Sequence, residues 1–100
     1  MKDKSKSFGA IVREYRTLKG LLLRQVAAEL EVDTAFLSKM ERNEKKASRQ
    51  QVDKLAKVLE VDDNILVAQW LSDKILEIIG EEKQAFNALK ITEKRLISSK

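Results

Sequence analysis

The chain has no histidine, no cysteine and no proline, and only three glycines and five aromatic residues in 100. Without Cys there is neither a thiol nucleophile nor a disulfide. Without His there is no imidazole for proton transfer, and the usual zinc ligand sets go with it. Most enzyme classes lose their tools. No base stands beside a nucleophile and no Gly-rich phosphate loop is visible, so the expectation is a non-enzyme that needs neither cofactor nor metal. Freedom from disulfides fits a reducing cytoplasm. No apolar run approaches the roughly 20 residues of a spanning helix, and the N-terminus lacks the apolar segment of a signal peptide. The protein is therefore expected to be cytoplasmic, with no membrane partner. The scarcity of Pro and Gly also removes the residues that break helices, which leaves a composition rich in Ala, Leu, Glu, Lys and Gln and predicts an all-α fold without sheet.

What is present suits one small soluble domain with a modest extension: 43% of residues are apolar and 36% charged. A net charge of +4 is too small to announce a polyanionic partner by itself, so its distribution carries more weight. Lys2, Lys4, Lys6, Arg13, Arg16 and Lys19 face only Asp3 and Glu14 within residues 1–20. Residues 62–80 reverse this, with Lys74 against Asp62, Asp63, Asp73 and Glu77. An acidic segment is repelled by phosphate, so residues 62–80 should turn away from any nucleic acid.

The pattern is densest between Leu22 and Asn43. Val26, Ala27 and Leu30 share one face of a first short helix, and Asp33 is placed to cap a second helix beginning at Thr34. With so short a link the two helices must cross steeply. At about 100° per residue the second helix puts Leu37 and Met40 on one side and Thr34, Ala35, Ser38, Lys39 and Arg42 on the other. Asn43 suits the left-handed residue that ends a helix. The result is a helix-turn-helix, whose second helix can lie in a DNA major groove.

Over about Phe8 to Leu66 the chain resembles the Cro and phage-repressor type of helix-turn-helix domain, which also occurs in restriction-modification controllers and many antitoxins. The resemblance rests on Ala27 in the first motif helix, on Ser38 and Glu41 three residues apart in the second, on Arg16, and on the adjacent Glu41 and Arg42. It extends to Lys45, Lys46 and the closing LAKVLEVD of Leu55 to Asp62. The chain departs from the family pattern at three places. Leu22 and Leu23 replace a polar cap and a Gln, Glu31 stands at a turn position that is often Gly, and Ala35 replaces a long polar reader, so direct hydrogen-bond readout should be sparse.

Around the motif, the segment MKDKSKS reads as a basic arm ending at a Ser cap, Ser5 or Ser7. A helix from about Phe8 to Lys19 follows, with Phe8, Ile11 or Val12, Tyr15 and Leu18 on its apolar stripe and Gly20 as its stop. Ser48 and Gln51 form a capping box for a helix ending near Leu59, with Val52, Leu55, Ala56 and Leu59 inward. Asp62, Asp63 and Asn64 cap a further helix running to Gly80, and a last helix spans about residues 81–97. The expected fold is a lambda-repressor-like five-helix DNA-binding domain over residues 1–66, with the basic arm, and a C-terminal helical extension over residues 67–100.

The resemblance implies double-stranded DNA as partner, read as an inverted repeat by a homodimer. Thr34, Ala35, Phe36, Ser38 and Lys39 are the expected base readers. Arg24, Arg42, Lys45, Lys46 and Arg49 are the expected phosphate contacts, the last three around a helix start where free N–H groups and positive charge suit a phosphate. Arg16 and Glu41 are expected to form a structural ion pair. The helix after Asp62 is too apolar to stay bare, so Trp70, Leu71, Ile75, Ile79, Phe86 and Leu89 are the expected dimer interface, and Trp70 is also a candidate for the core. The alternative is an antitoxin, its C-terminal helices on a toxin partner and its N-terminal domain repressing its own promoter. A neighbouring toxin gene would favour that reading, and a neighbouring methyltransferase or endonuclease gene a controller.

Overall fold

Residues 6–100 are described by a computed structural model. Among them are six helices and no strand: α1 (Phe8–Leu18), α2 (Leu23–Leu30), α3 (Thr34–Glu41), α4 (Arg49–Leu59), α5 (Asp63–Ile79) and α6 (Ala85–Ser98). The fold is all-α, as composition requires. The alternative cap Ser5 and the arm up to residue 5 lie outside the described residues.

Side-chain caps set most of the helix starts. Ser7 Oγ accepts the Ala10 N–H at 3.2 Å, Asp33 Oδ1 accepts that of Phe36 at 2.7 Å, and Asp62 Oδ1 that of Asn64 at 2.9 Å. Ser48 and Gln51 exchange bonds at 3.2 and 2.9 Å in the expected capping box. At Leu22, which has no polar side chain, Gln25 Oε1 accepts the exposed N–H at 2.7 Å and supplies half of such a box.

Four helices end in one and the same way. Gly20, Glu31, Asn43 and Glu60 all take positive φ, at 71°, 61°, 67° and 58°. The next N–H then turns back to a carbonyl five residues earlier, Leu21 to Arg16, Val32 to Ala27, Glu44 to Lys39 and Val61 to Ala56, which is the Schellman motif. Leu21, Val32 and Val61 follow their turns with an apolar side chain laid on the core; only Glu44 does not. At Glu31 the left-handed backbone costs about 1 kcal/mol relative to Gly. Its one visible compensation is a 3.7 Å approach to Lys54 from a side chain 81% exposed, and such a pair is worth little. Glu31→Gly should therefore raise stability by about 0.5–1 kcal/mol and the melting temperature by a few degrees. An unchanged melting curve would show that the left-handed turn carries no strain.

The core is built from the expected stripes. Val12, Val26, Leu37, Val52, Leu55 and Leu66 are fully enclosed, and Phe8, Ala27, Leu30, Met40, Ala56 and Leu59 nearly so. Helices α1 and α2 pack on α3, α2 also packs on α4, and α5 closes the far side against α4 and α1. Leu18 is a correction: it is 78% exposed. It lies about 120° around α1 from Val12, so the buried stripe ends at Tyr15.

Helix α5 runs unbroken through residues 66 and 67. Leu66, Val67 and Trp70 pack on the core, whereas Leu71, Ile75, Leu76 and Ile78 are 44–76% exposed. α6 starts at Ala85 rather than 81, because residues 80–84 form turns closed by Glu82 N–H to Ile79 O and Ala85 N–H to Glu82 O. No residue of α6 is buried, and Phe86 is 79% exposed.

Candidate nucleic-acid interface

The outer side of α3 is the centre of the site. Leu37 and Met40 point inward and are enclosed, which leaves Thr34, Ala35 and Lys39 exposed on the opposite side with Ser38 half-buried beside them. Phe36 is partly buried against the core and offers only its remaining edge.

Helix α1 holds α3 in place at three points. Arg16 Nε and Nη2 donate to the two carboxylate oxygens of Glu41 at 2.7 and 3.1 Å, and Nη1 donates to Leu21 O at 2.9 Å. The pair is enclosed, its side chains 11% and 4% exposed. Gly9 lies so close to the last turn of α3 that an added Cβ would stand 2.3 Å from Met40 O. Asn43 Nδ2 donates to Ser7 Oγ at 2.6 Å and joins the end of α3 to the start of α1. The role of Gly9 was not visible in the pattern of apolar residues.

The expected phosphate contacts fall into two groups. Arg24, Lys45 and the base-reading candidate Lys39 are exposed and have no ion-pair partner among the described residues. The other three each carry a carboxylate: Lys46 pairs with Glu77 at 2.5 Å, Arg49 with Asp53, and Arg42 with Glu44 at 3.1 Å. Hydrogen bonding to Arg42, together with its charge and a smaller contribution from Lys39, holds the Glu44 carboxyl below its ordinary range. The same hydrogen bond raises the Arg42 guanidinium.

Helix α5 packs beside the loop that follows α3 and the start of α1. Besides the Glu77–Lys46 pair, Trp70 Nε1 donates to Ala47 O at 2.8 Å, with Lys74 Nζ 4.5 Å above the ring. Asp73 Oδ2 accepts the Phe8 N–H at 2.9 Å, where the positive end of the α1 dipole favours a carboxylate. Gln69 Nε2 donates to Lys6 O at 2.6 Å. Trp70 is thus engaged within its own chain, beside a cleft of about 490 Å³ between α5 and the loop that follows α3. Leu71, Ile75, Phe86 and Leu89 are uncovered, and Ile79 is half-buried.

A short helix presented after a tight turn, with its inner side locked to a supporting helix, is the arrangement that the helix-turn-helix family model describes, and that model matches residues 12–66. The chain belongs to the helix-turn-helix family, in its Cro and phage-repressor type. Membership places the protein among the DNA-binding transcriptional regulators. Among solved structures, the helix-turn-helix chain is similar to the clp gene regulator ClgR from Corynebacterium glutamicum. One ClgR structure matches at 26% identity and TM-score 0.57 over 66% of this chain and 86% of that one. A second matches at 25% and 0.58 over 75% and 80%. The SinR protein/SinI protein complex matches at 25% identity and TM-score 0.55, over 91% of this chain and 98% of that one. No curated protein matches the chain. Among the described residues no helix of this family member is long and apolar enough to cross a membrane.

Proposed function

We propose that the protein binds an inverted-repeat operator as a homodimer, each subunit laying α3 in the major groove of one half-site. The observation that carries the reading is the division of exposed surface. α3 presents its outer side with neighbouring cations. α5 and α6 carry Leu71, Ile75, Ile78, Phe86 and Leu96 uncovered, at 44–79% exposure, more apolar surface than a lone small domain keeps in water. A two-fold pairing through α5 and α6 covers that surface and sets the two recognition helices roughly 34 Å apart, one turn of DNA. The DNA-binding unit of residues 1–66 and the dimerising extension of residues 67–100 then meet inside α5, whose first half serves both.

In this seating Thr34, Ala35 and the edge of Phe36 meet thymine methyls, Ser38 lies at the base edges, and Lys39 donates to guanine O6 and N7. Arg24, Lys45, Lys46 and Arg49 hold phosphates and fix the register without reading sequence. Lys46 and Arg49 exchange a carboxylate for a phosphate as they do so.

Selection from a random duplex library tests the reading, and the expected product is an inverted repeat with half-sites 10–10.5 bp apart. Lys39→Ala should cost about 1–3 kcal/mol on that operator and relax one position per half-site, whereas Lys46→Ala should weaken all DNA alike and flatten the salt dependence by about one charge. Equal losses on operator and random DNA for both variants would remove α3 as the reader. Truncation after Gly80 deletes α6 without touching the core and should yield a monomer whose operator affinity collapses with the loss of bivalence. The competing reading is an antitoxin or another chain with a heterologous partner, favoured by the neighbour solved with a second protein. A full-length protein that sediments as a monomer at tens of micromolar would support that reading against the homodimer.

A further inference from the structure

We infer that Arg42 is a guanine reader rather than a phosphate contact, its guanidinium aimed by Ser38 and Glu44; this rests on the proposed seating of α3 in the major groove.

The argument begins with a turn that breaks its own pattern. Of the four Schellman turns, three are followed by an apolar residue that packs on the core, the contact that usually accompanies the motif. After α3 the residue in that place is Glu44, whose exposed side chain returns to Arg42 instead. The backbone of this turn, with Glu44 N–H bonded to Lys39 O at 2.8 Å, fixes Glu44 beside the end of the recognition helix. Folding has no need of the contact: the two side chains are 50% and 55% exposed, and surface ion pairs contribute little to stability.

The geometry gives the contact another use. Arg42 Nε and Nη2 donate to the two Glu44 oxygens at 3.1 and 3.2 Å, and Nη1 donates to Ser38 Oγ at 2.5 Å. A guanidinium has five N–H donors. Three are taken, one each on Nε, Nη1 and Nη2, so one remains on each terminal nitrogen, the two-pronged pattern that meets guanine O6 and N7. Lys46 and Arg49 are each paired with one carboxylate, which a phosphate can replace. Arg42 is held by Ser38 as well as by both oxygens of Glu44, so its planar fork is kept still, and the Glu44 carboxylate fixed beside it would be repelled by a phosphate.

Position agrees with this role. Ala35, Ser38 and Arg42 follow one another at helical spacing on the presented side, so Arg42 extends the line of readers by one turn. It also supplies a donor where Ala35 supplies none.

The test compares Arg42→Lys, Arg42→Ala and Glu44→Gln with the wild-type chain by fluorescence anisotropy, on the selected operator and on a random 30-bp duplex. Arg42→Lys keeps the charge and loses the fork. It should weaken operator binding about tenfold or more, nearly as much as Arg42→Ala, and leave the random duplex within about twofold. Repeated selection with either variant should lose a guanine at one position of each half-site. Glu44→Gln should relax the same guanine with Arg42 still present and with an unchanged melting temperature, a result that a merely structural contact would not give. If Arg42→Lys binds the operator like wild type, or if Arg42→Ala weakens operator and random DNA equally and flattens the salt slope, Arg42 is a phosphate contact and the assignment falls alone. A wild-type chain that enriches no sequence overturns the operator reading and this assignment with it.

Discussion

Gly9→Ala is expected to destabilise the protein by about 2–3 kcal/mol, although the same change at an exposed helical position would stabilise it by about 1 kcal/mol through helix propensity. The sign is decided by what the new methyl group meets. An added Cβ would stand 2.3 Å from Met40 O, 2.7 Å from Glu41 O and 2.9 Å from Asn43 Oδ1. Two of these are backbone atoms of the last turn of α3, which is held by its own turn and by Arg16. Neither can swing aside as the tip of a flexible side chain would, so α1 must move off α3 as a body. The movement would open the packing around Phe8 and Val12 and tilt the recognition helix. DNA affinity should accordingly fall further than the loss of folded protein explains. Urea unfolding followed by circular dichroism measures the first effect, and operator binding at a temperature where the variant is fully folded measures the second. A Gly9→Ala protein as stable as wild type, or more so, would mean that α1 yields to α3 without cost.

Most of the fold was legible because each element follows from local chemistry. Asp33, Ser48 and Asp62 announce helix starts, and Gly20 and Asn43 announce stops. The apolar spacing of Val26, Ala27, Leu30, Leu37 and Met40 identifies the inner side of the motif without any tertiary knowledge. What stayed hidden depends on distances between elements. Gly9 looks like a weak spot in a helix until the approach of Met40 O shows that nothing larger fits. Asp73 looks like one charge in an acidic segment, yet its carboxylate satisfies the free Phe8 N–H 65 residues earlier in the chain. Periodicity reports which side of a helix is apolar, not what lies opposite. Leu18 fails for the related reason that an apolar residue near the edge of a stripe is buried only if a neighbour extends that far. The pairing of Lys46 with Glu77, and of Arg42 with Glu44, shows a third limit. A count of cations marks the face, but which of them arrive already partnered is set by loop and turn geometry.

Arg16→Met is the second change expected to have a large effect, a loss of about 3 kcal/mol or more. Glu41 Oε2 and Oε1 accept from Arg16 at 2.7 and 3.1 Å, and the Glu41 side chain is only 4% exposed. Without Arg16 that carboxylate keeps its desolvation cost and loses its partner, and Leu21 O loses a donor at 2.9 Å. An exposed pair, by contrast, would be worth well under about 1 kcal/mol. The double variant Arg16→Met with Glu41→Met removes the buried charge as well as its partner and fills the space with apolar volume. It should recover a large part of the loss, because a buried ion pair is often no better than well-packed apolar residues of similar size. The comparison separates two roles. If the double variant regains stability but binds the operator poorly, the pair serves chiefly to fix the angle at which α1 presents α3, and its value lies in orientation. If it regains both, ordinary packing suffices to orient α3. An Arg16→Met protein that melts with the wild type would show that the pair is only superficial, against the enclosure of both side chains.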